Sequence, residues 1–358
     1  MDCASHLPLL PCSRGKGFRF CVLALVGLAL AACEAPPPDP TVRLTGSTMG
    51  TSYDLKLVPE PGQSAPADLQ PRIEALLARL NQTLSTYDPQ SELSRFNRNP
   101  SVDWVTVSPE LQTLVAEALR LSELSNGAFD ITVGPLVNLW GFGPEPRRDQ
   151  APSDAEIAQA RERIGYWRLQ TREQPPALKK ARPDLYLDLS AIAKGYGVDQ
   201  LAALAETAGF HHYLVSIGGE IRAKGQNGRG QPWTIAIEKP VAGQRAVERL
   251  IQPGDHSVST SGDYRNFFEQ NGRRYSHIIN PHTGRPVAQT LASVTVISDQ
   301  SMLADATATT LMAAGADFGF QLAAEHHLAA FFILTGPEGR FEERYTPEFE
   351  NYLVPQPP

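Results

Sequence analysis

All four cysteines of this 358-residue chain lie within its first 33 residues, at positions 3, 12, 21 and 33. The rest of the chain therefore has no disulfide bond and no thiol, which excludes cysteine catalysis and zinc sites built on cysteine. A polypeptide of this length can bury enough apolar surface to fold without crosslinks. We expect a domain that is held together by its hydrophobic core alone.

The segment before residue 33 has the pattern of a bacterial export signal. Three basic residues, Arg14, Lys16 and Arg19, precede an apolar run from Phe20 to Ala32. This run is shorter than the about 20 apolar residues that a membrane-spanning helix needs. It ends in Leu-Ala-Ala-Cys, which resembles the lipobox of bacterial lipoproteins, where the cysteine is acylated. We predict a signal peptide over residues 1–32 and lipidation of Cys33; an ordinary signal peptide with a stray cysteine is the alternative.

The residues after the lipobox predict a tether followed by one folded domain. Residues 33–44 contain a run of four prolines within five positions, a composition typical of stiff, extended linkers. The domain is predicted over residues 45–355. The chain carries 32 Lys and Arg against 39 Asp and Glu, a formal net charge of −7. Because this balance is acidic, nucleic acid is not expected as a partner.

Periodic apolar residues alternate with short β-type segments along this domain. Apolar spacing predicts helices over residues 71–84, 108–124, 153–164, 194–208 and 298–315. Short alternating segments between them predict strands, including Leu185–Leu189 and a hairpin that turns at Asn271 and Gly272. The pattern indicates an α+β fold of mixed or antiparallel sheets with helices packed outside.

The helix predicted at 298–315 carries a pair of possible metal ligands. Asp305 and Thr309 are four residues apart, so both lie on one helix face, about 6 Å apart along its axis. A carboxylate and a hydroxyl at this spacing could hold one Mg²⁺, which prefers oxygen ligands and often shares them with phosphates. Ser298 or Asp299 is the expected N-cap. In the alternative, Asp305 is a solvated residue and Thr309 bonds its own backbone.

A second candidate site follows the strand predicted at Leu185–Leu189. Asp188 lies at the end of that strand and Lys194 at the start of the next helix. A helix N-terminus binds anions through its free amides, and Lys194 adds a full positive charge. The alternative is a structural aspartate beside a surface lysine.

Three further residues stand near turns rich in glycine or polar residues. Met49 lies between Gly46 and Gly50, where the backbone either approaches a ligand or makes a plain turn. Tyr87 is an aromatic residue in a polar loop and could stack on a flat ligand. His277 precedes a tight turn and is either a base or a packed polar residue.

Seven segments in order resemble the ApbE family of flavin transferases. They are GSTMGTSY, NGAFDITVGPLVNLWGFG, LDLSAIAKGYGVD, VSIGGEI, VSTSGDY, SHIINPHTGRP and SDQSMLADATATTLM. The resemblance extends over about residues 45–334. The resemblance implies a T-fold-like core with two lobes around FAD. It also implies that the pyrophosphate of FAD is split and that FMN is transferred to a threonine hydroxyl of a target protein, with release of AMP.

The resemblance also implies roles for individual residues. Mg²⁺ would be held by the side chains of Asp305 and Thr309 and by the backbone carbonyl of Ala191. His277 would be the base that takes the proton of the threonine, with Asp305 as the second catalytic residue. FAD would contact Met49, Tyr87, Ala128, Phe129, Asp130, Asp188, Lys194 and Ile278.

The resemblance and the leader together imply a location and a class of target. The protein would be lipid-anchored to the periplasmic side of the inner membrane, and its targets would be membrane-bound electron-transport subunits. Two alternatives stay open at this point. One is an FAD pyrophosphatase that uses water as the acceptor and yields FMN and AMP; the other is a flavin-binding lipoprotein without turnover.

Overall fold

The computed structural model describes residues 39–355 except 146, 147, 149, 242, 244, 245, 288, 289 and 337–339. The predicted signal peptide, Cys33 and the tether up to residue 38 lie outside the described residues. Within the described residues, no helix is both long enough and apolar enough to cross a membrane.

The strands of the described residues follow one another closely, with helices inserted between them. The strands are β1 Val42–Thr48, β2 Thr51–Val58, β3 Val105–Thr106, β4 Leu169–Arg172, β5 Ala177–Lys180, β6 His212–Ile217, β7 Glu220–Lys224, β8 Ile235–Glu238, β9 Val247–Ile251, β10 Ser257–Gly262, β11 Phe267–Gln270, β12 Arg273–Ser276, β13 Ile279–Asn280, β14 Arg285–Pro286, β15 Leu291–Ser298, β16 Ala329–Thr335 and β17 Phe341–Tyr345. The helices are α1 Leu69–Leu84, α2 Glu92–Arg98, α3 Pro109–Leu124, α4 Gly134–Leu139, α5 Asp154–Arg161, α6 Ala193–Thr207, α7 Ser301–Ala314, α8 Ala316–Glu325 and α9 Pro347–Glu350.

Eight of these strands form one sheet in the order β1-β2-β6-β7-β10-β15-β16-β17. Every neighbouring pair in it is antiparallel. A three-stranded sheet, β3-β5-β4, and the pairs β8-β9, β11-β12 and β13-β14 are separate from it. The prediction of an α+β fold with antiparallel sheets is confirmed.

Alternation of apolar residues places α1, α6, α7 and α8 on one face of the large sheet. In β2, Tyr53, Leu55 and Leu57 are buried, and their partners across the strand pair belong to β6. These side chains pack against α1 and α6. Strands β15 and β16 present Val294, Val296 and other apolar residues to α7 and α8 in the same way. The period of two in a strand thus assigns one face to the helices.

The opposite face of the sheet is covered differently. The hairpin β8-β9 and the C-terminal helix α9 pack there against the other set of alternating side chains, and Phe331 and Phe349 are fully buried in this layer. The helical layer and this second layer together bury the centre of the sheet.

Local patterns placed most elements within a few residues of their observed ends. Ser108 caps α3 as expected, since its hydroxyl accepts a hydrogen bond from the amide of Leu111, and Pro109 is the first helical residue. The hairpin at Asn271 and Gly272 joins β11 to β12. Strand β1 begins at Val42, three residues inside the predicted tether.

The strand predicted at Leu185–Leu189 does not exist. The segment is extended and buries its apolar residues, but its backbone pairs with no strand. The amide and the carbonyl of Leu187 bond instead to the side chain of Asn97, and the amide of Asp188 bonds to the carbonyl of Ile131. Alternating apolar residues indicate a buried, extended segment. A β-ladder also needs a neighbouring strand with which the segment can pair.

The predicted N-cap of α7 is also wrong. Gln300 is the residue before the helix, and neither Ser298 nor Asp299 caps it. Asp199 of α6 accepts hydrogen bonds from the amides of Ser301 and Met302, each at 2.9 Å. A carboxylate at a helix N-terminus satisfies free amides and complements the helix dipole.

Helices α6 and α7 cross in close contact at Gly195. A Cβ atom there would clash with the backbone carbonyl oxygen of Ser301 and would lie 2.8 Å from Cβ of Asp305. The Gly195 amide donates to Oδ2 of Asp305 at 3.0 Å. The absence of a side chain thus lets the two helices join through the Asp305 carboxylate.

We expect Gly195→Ala to destabilise the fold by about 1–3 kcal/mol, because backbone atoms cannot yield to the added methyl group. Urea unfolding measures this change. Gly197→Ala is the matched control in the same helix, since the nearest atoms to its Cβ would be side-chain ends, those of Ile217, Met49 and Leu80. Both changes gain similar helix propensity. Equal stability of the two variants would contradict the assigned crossing.

Candidate functional site

A cavity of about 1010 Å³ lies beside the crossing of α6 and α7. All twelve residues predicted as FAD, metal or catalytic residues line it: Met49, Tyr87, Ala128, Phe129, Asp130, Asp188, Ala191, Lys194, His277, Ile278, Asp305 and Thr309. They come from six separate segments of the chain. The fold therefore brings the predicted site residues together, while their individual roles stay predictions.

Asp305 is buried at the wall of this cavity. Its side chain is 3% exposed, so the alternative of a solvated helix residue is wrong. Oδ2 accepts the hydrogen bond from the Gly195 amide, and Oδ1 lies 3.3 Å from Nζ of Lys194. A buried carboxylate needs such partners, because an isolated charge in the interior is very costly.

Lys194 contacts a second buried carboxylate, that of Glu220. Burial disfavours the charged form of Lys194, but Asp305 and Glu220 outweigh it and raise the pKa of the ammonium group. Burial raises the pKa of the Glu220 carboxyl, and Lys194 opposes that shift. Lys194 therefore carries its charge at neutral pH, between two acidic side chains.

Glu220 is a cavity residue that the sequence analysis did not single out. It is 5% exposed and follows Gly218 and Gly219, whose φ angles of 62° and 118° suit glycine. One oxygen, Oε1, contacts Lys194, whereas Oε2 has no hydrogen-bond partner. The signal was the Gly-Gly-Glu sequence between two strands, which by itself indicates only a turn.

The donor set around Asp305 fits a hard cation. The hydroxyl of Thr309 bonds to Ser261 at 3.0 Å and not to its own backbone, so this alternative is also wrong. The carbonyl of Ala191 accepts no hydrogen bond among the described residues, because the amide of Gly195, four residues on, bonds to Asp305 instead. A carboxylate, a hydroxyl and a carbonyl are the ligand types that Mg²⁺ prefers.

The protein supplies only part of a metal shell. Across the described ranges, no cluster of three or more His, Cys, Asp and Glu side chains could hold a metal ion. Mg²⁺ is commonly bound by one or two carboxylates with phosphate oxygens completing its shell. The site thus fits a metal that binds together with a phosphate compound.

His277 lies in the same cavity as a neutral imidazole. Burial lowers its pKa to about 4, and the charge of Lys194 adds to this effect. Its Nδ1 lies 3.1 Å from the carbonyl oxygen of Asn266, and because a carbonyl can only accept, Nδ1 carries the proton. The other ring nitrogen, Nε2, is left with a lone pair that can accept a proton.

Apolar and aromatic residues also line the cavity. Met49 forms the turn between β1 and β2 with Gly50, and both have positive φ angles, 49° and 70°. This turn is of the kind found in tight hairpins. The glycine segment is therefore a turn, as one interpretation predicts, and it also lines the cavity, as the other predicts. Tyr87 is 66% exposed, whereas Phe129 and Ile278 are buried. Such a surface suits a flat ring system.

The two remaining carboxylates, Asp130 and Asp188, differ in how many of their oxygens already accept hydrogen bonds. Both oxygens of Asp130 accept hydrogen bonds, Oδ1 from Thr132 and Oδ2 from the amide of Tyr166 at 3.0 Å. Asp130 therefore holds its loop and has little capacity left for a ligand. Asp188 uses Oδ1 for Ser190, and its Oδ2 makes no hydrogen bond within the described part of the chain. Asp188 is the one that can accept from a ligand.

Comparison with known proteins agrees with this arrangement. The model of the ApbE family matches residues 49–332. An FAD:protein FMN transferase of Vibrio cholerae serotype O1 is 47% identical over 326 residues, which cover 91% of this chain and 96% of the relative. The FAD:protein FMN transferase of Escherichia coli K12 is 40% identical over 347 residues, covering 94% and 98%.

Solved structures show the same fold. The flavin transferase ApbE from Vibrio cholerae superposes with a TM-score of 0.81 at 46% identity and covers 87% of this chain and 99% of its own. The apbe protein from Thermotoga maritima gives a TM-score of 0.78 at 28% identity, with coverage of 88% and 100%.

The lowered pKa of His277 predicts a pH dependence of stability. Between pH 6.5 and about 4 the unfolded chain binds a proton at this histidine and the folded chain does not, so the free energy of unfolding falls as pH falls. Between pH 7 and pH 5 this histidine should lower the free energy of unfolding by about 2 kcal/mol. In His277→Gln this part of the decrease should be absent. Urea unfolding at both pH values measures it, with exposed His211→Gln as control. An unchanged pH slope in His277→Gln would contradict the burial assigned to this ring.

Proposed function

Because the chain belongs to the ApbE family, whose curated relatives are FAD:protein FMN transferases, we propose that it transfers FMN from FAD to a threonine hydroxyl of a target protein in an Mg²⁺-dependent reaction. These relatives share the activity of flavin transfer from FAD. As a member of their family, this chain is a transferase. The observation that carries the proposal is a single cavity that holds oxygen ligands, a fixed cation and a neutral imidazole. Mg²⁺ and the threonine acceptor are the parts that experiment must test.

The reaction exchanges one phosphorus–oxygen bond for another. The threonine oxygen bonds to the phosphorus of the FMN half, the pyrophosphate bond breaks, and AMP leaves with the bridging oxygen. The hydroxyl proton goes to Nε2 of His277, which is neutral because burial holds its pKa at about 4. Negative charge grows on the leaving phosphate, and Lys194 is the fixed positive charge of the cavity wall.

The metal ligands of the proposal are Asp305, Thr309 and the carbonyl of Ala191. Bound Mg²⁺ would neutralise negative charge on the diphosphate oxygens. The ligands come from α7 and from the turn before α6, so the Gly195 crossing positions them. The apolar wall with Met49, Tyr87 and Ile278 would hold the ring systems of FAD, and Asp188 would accept a hydrogen bond from a ribose hydroxyl or the adenine amino group.

The acceptor distinguishes transfer from hydrolysis. Purified protein is incubated with FAD, MgCl₂ and a threonine-containing peptide derived from a candidate target, with the same peptide carrying Thr→Ala as the control. We expect fluorescence that stays with the threonine peptide in a denaturing gel, and one AMP per flavin bound. Release of FMN and AMP without peptide labelling would identify a pyrophosphatase, and intact FAD would identify a binding protein without turnover.

Asp305→Asn should lower flavin transfer by at least about 100-fold, because a neutral amide is a poor ligand for Mg²⁺. Asn is chosen over Ala because Asp305 is buried and its oxygen accepts from Gly195, so that Ala would also leave this amide unpaired. The transfer assay gives the rate, and the melting temperature verifies folding. Asp317→Asn, on the exposed start of α8, is the control. Full activity of Asp305→Asn would refute the metal site.

The leader supports a proposed location at the periplasmic face of the inner membrane, anchored through Cys33. Membrane-bound electron-transport subunits would then be within reach as targets. Cys33→Ser should move the protein from the membrane fraction to the soluble periplasmic fraction, as measured by immunoblotting of fractionated cells. Retention of the variant in the membrane would refute the anchor.

Mass spectrometry of membrane proteins would identify threonines that carry FMN.

A further inference from the structure

Three ionisable side chains, one lysine and two carboxyl groups, share one corner of the cavity. Lys194 contacts Oε1 of Glu220, and its Nζ lies 3.3 Å from Oδ1 of Asp305. Two carboxylates therefore share one ammonium group. Both carboxylates are nearly fully buried, at 5% and 3% exposure, while Lys194 is 30% exposed. The lysine is therefore the most exposed member of this group.

In this arrangement Lys194 competes for the oxygen that a metal would use. Oδ2 of Asp305 is already bonded to the Gly195 amide, so Oδ1, the oxygen that faces Lys194, is the free ligand position. A divalent cation at Oδ1 and an ammonium group at the same oxygen repel each other strongly. Lys194 must therefore leave Asp305 when the metal binds there.

Glu220 is the partner that remains for Lys194. It is the first residue of β7, in the interior of the eight-stranded sheet, and it follows two glycines in left-handed conformations. Its position is thus defined by backbone structure. Its second oxygen, Oε2, is buried and has no hydrogen-bond partner within the part of the chain that the structure describes, so the carboxylate has unused capacity to hold the lysine.

We propose that Glu220 is a positioning residue that draws Lys194 away from Asp305, which frees Asp305 for the metal and keeps the ammonium group at the cavity wall for the diphosphate of FAD. This inference rests on the proposed function. Without metal, Lys194 serves as the counter-ion of Asp305. With metal, Glu220 alone holds it, and the site gains the metal without losing the lysine.

The inference predicts how the three side chains affect Mg²⁺ affinity. In Glu220→Gln, Lys194 has Asp305 as its only charged partner and competes better with the metal, so the dissociation constant for Mg²⁺ should rise about tenfold. In Lys194→Met the competitor is gone, and the dissociation constant should fall below that of the wild type. In the double variant, the effect of Glu220→Gln should shrink to less than about twofold, because no lysine remains to redirect.

The experiment titrates each purified full-length variant with MgCl₂ alone, without FAD, and follows the thermal unfolding midpoint and the heat of binding. Glu206→Gln is the matched control, because Glu206 pairs with Lys224 at 2.8 Å outside the cavity. It should leave the Mg²⁺ affinity unchanged. Lys194→Met tests the inference independently if Glu220→Gln does not fold.

Each outcome decides the matter. A tenfold weakening in Glu220→Gln that disappears in the double variant supports the positioning role. A weakening that persists in the double variant overturns it, since Glu220 would then act on the metal directly. Unchanged affinity in Glu220→Gln, or unchanged or weaker affinity in Lys194→Met, also overturns it. If the wild type transfers flavin in any of these cases, the proposed function stands; if it neither binds Mg²⁺ nor transfers flavin, the proposed function itself fails.

Discussion

The close crossing of α6 and α7 at Gly195 is the contact on which the site depends. One carboxylate, that of Asp305, joins the two helices through the Gly195 amide, and Asp199 of α6 caps the start of α7. The same hydrogen bond diverts the Gly195 amide from the carbonyl of Ala191 and leaves that oxygen free. A packing contact and a ligand set are thus produced by one arrangement of backbone atoms.

Charge is the second constraint. The cavity contains buried acidic groups, two of them in contact with Lys194, and burying a carboxylate is favourable only when a cation or several donors face it. Asp130 meets this condition with three hydrogen bonds and is structural in effect. Asp305 meets it with the Gly195 amide and Lys194, whereas Glu220 meets it through Oε1 alone, since its Oε2 makes no hydrogen bond among the described residues.

Different elements of the fold supply the apolar lining of the cavity and its charged corner. Hairpin β1-β2 and the loops near Tyr87 and Phe129 contribute apolar and aromatic surface, whereas α6, α7 and β7 contribute charge. FAD has the matching division, with flat rings at its ends and a diphosphate between them. Burial and the charge of Lys194 lower the pKa of His277, so its imidazole stays neutral beside the charged corner.

The sequence by itself determined the α+β class, most helices, the hairpin at Asn271 and twelve of the residues that line the cavity. Helix periods, turn residues and the cap by Ser108 act over a few positions, so local patterns report them. Tertiary structure decided the rest. Extended residues 185–189 bond to Asn97 and Ile131 instead of a strand, Asp199 caps α7 from another helix, and Glu220 reaches Lys194 from β7. These contacts join residues far apart in the chain, and only the packing of the helices on the sheet sets their distances.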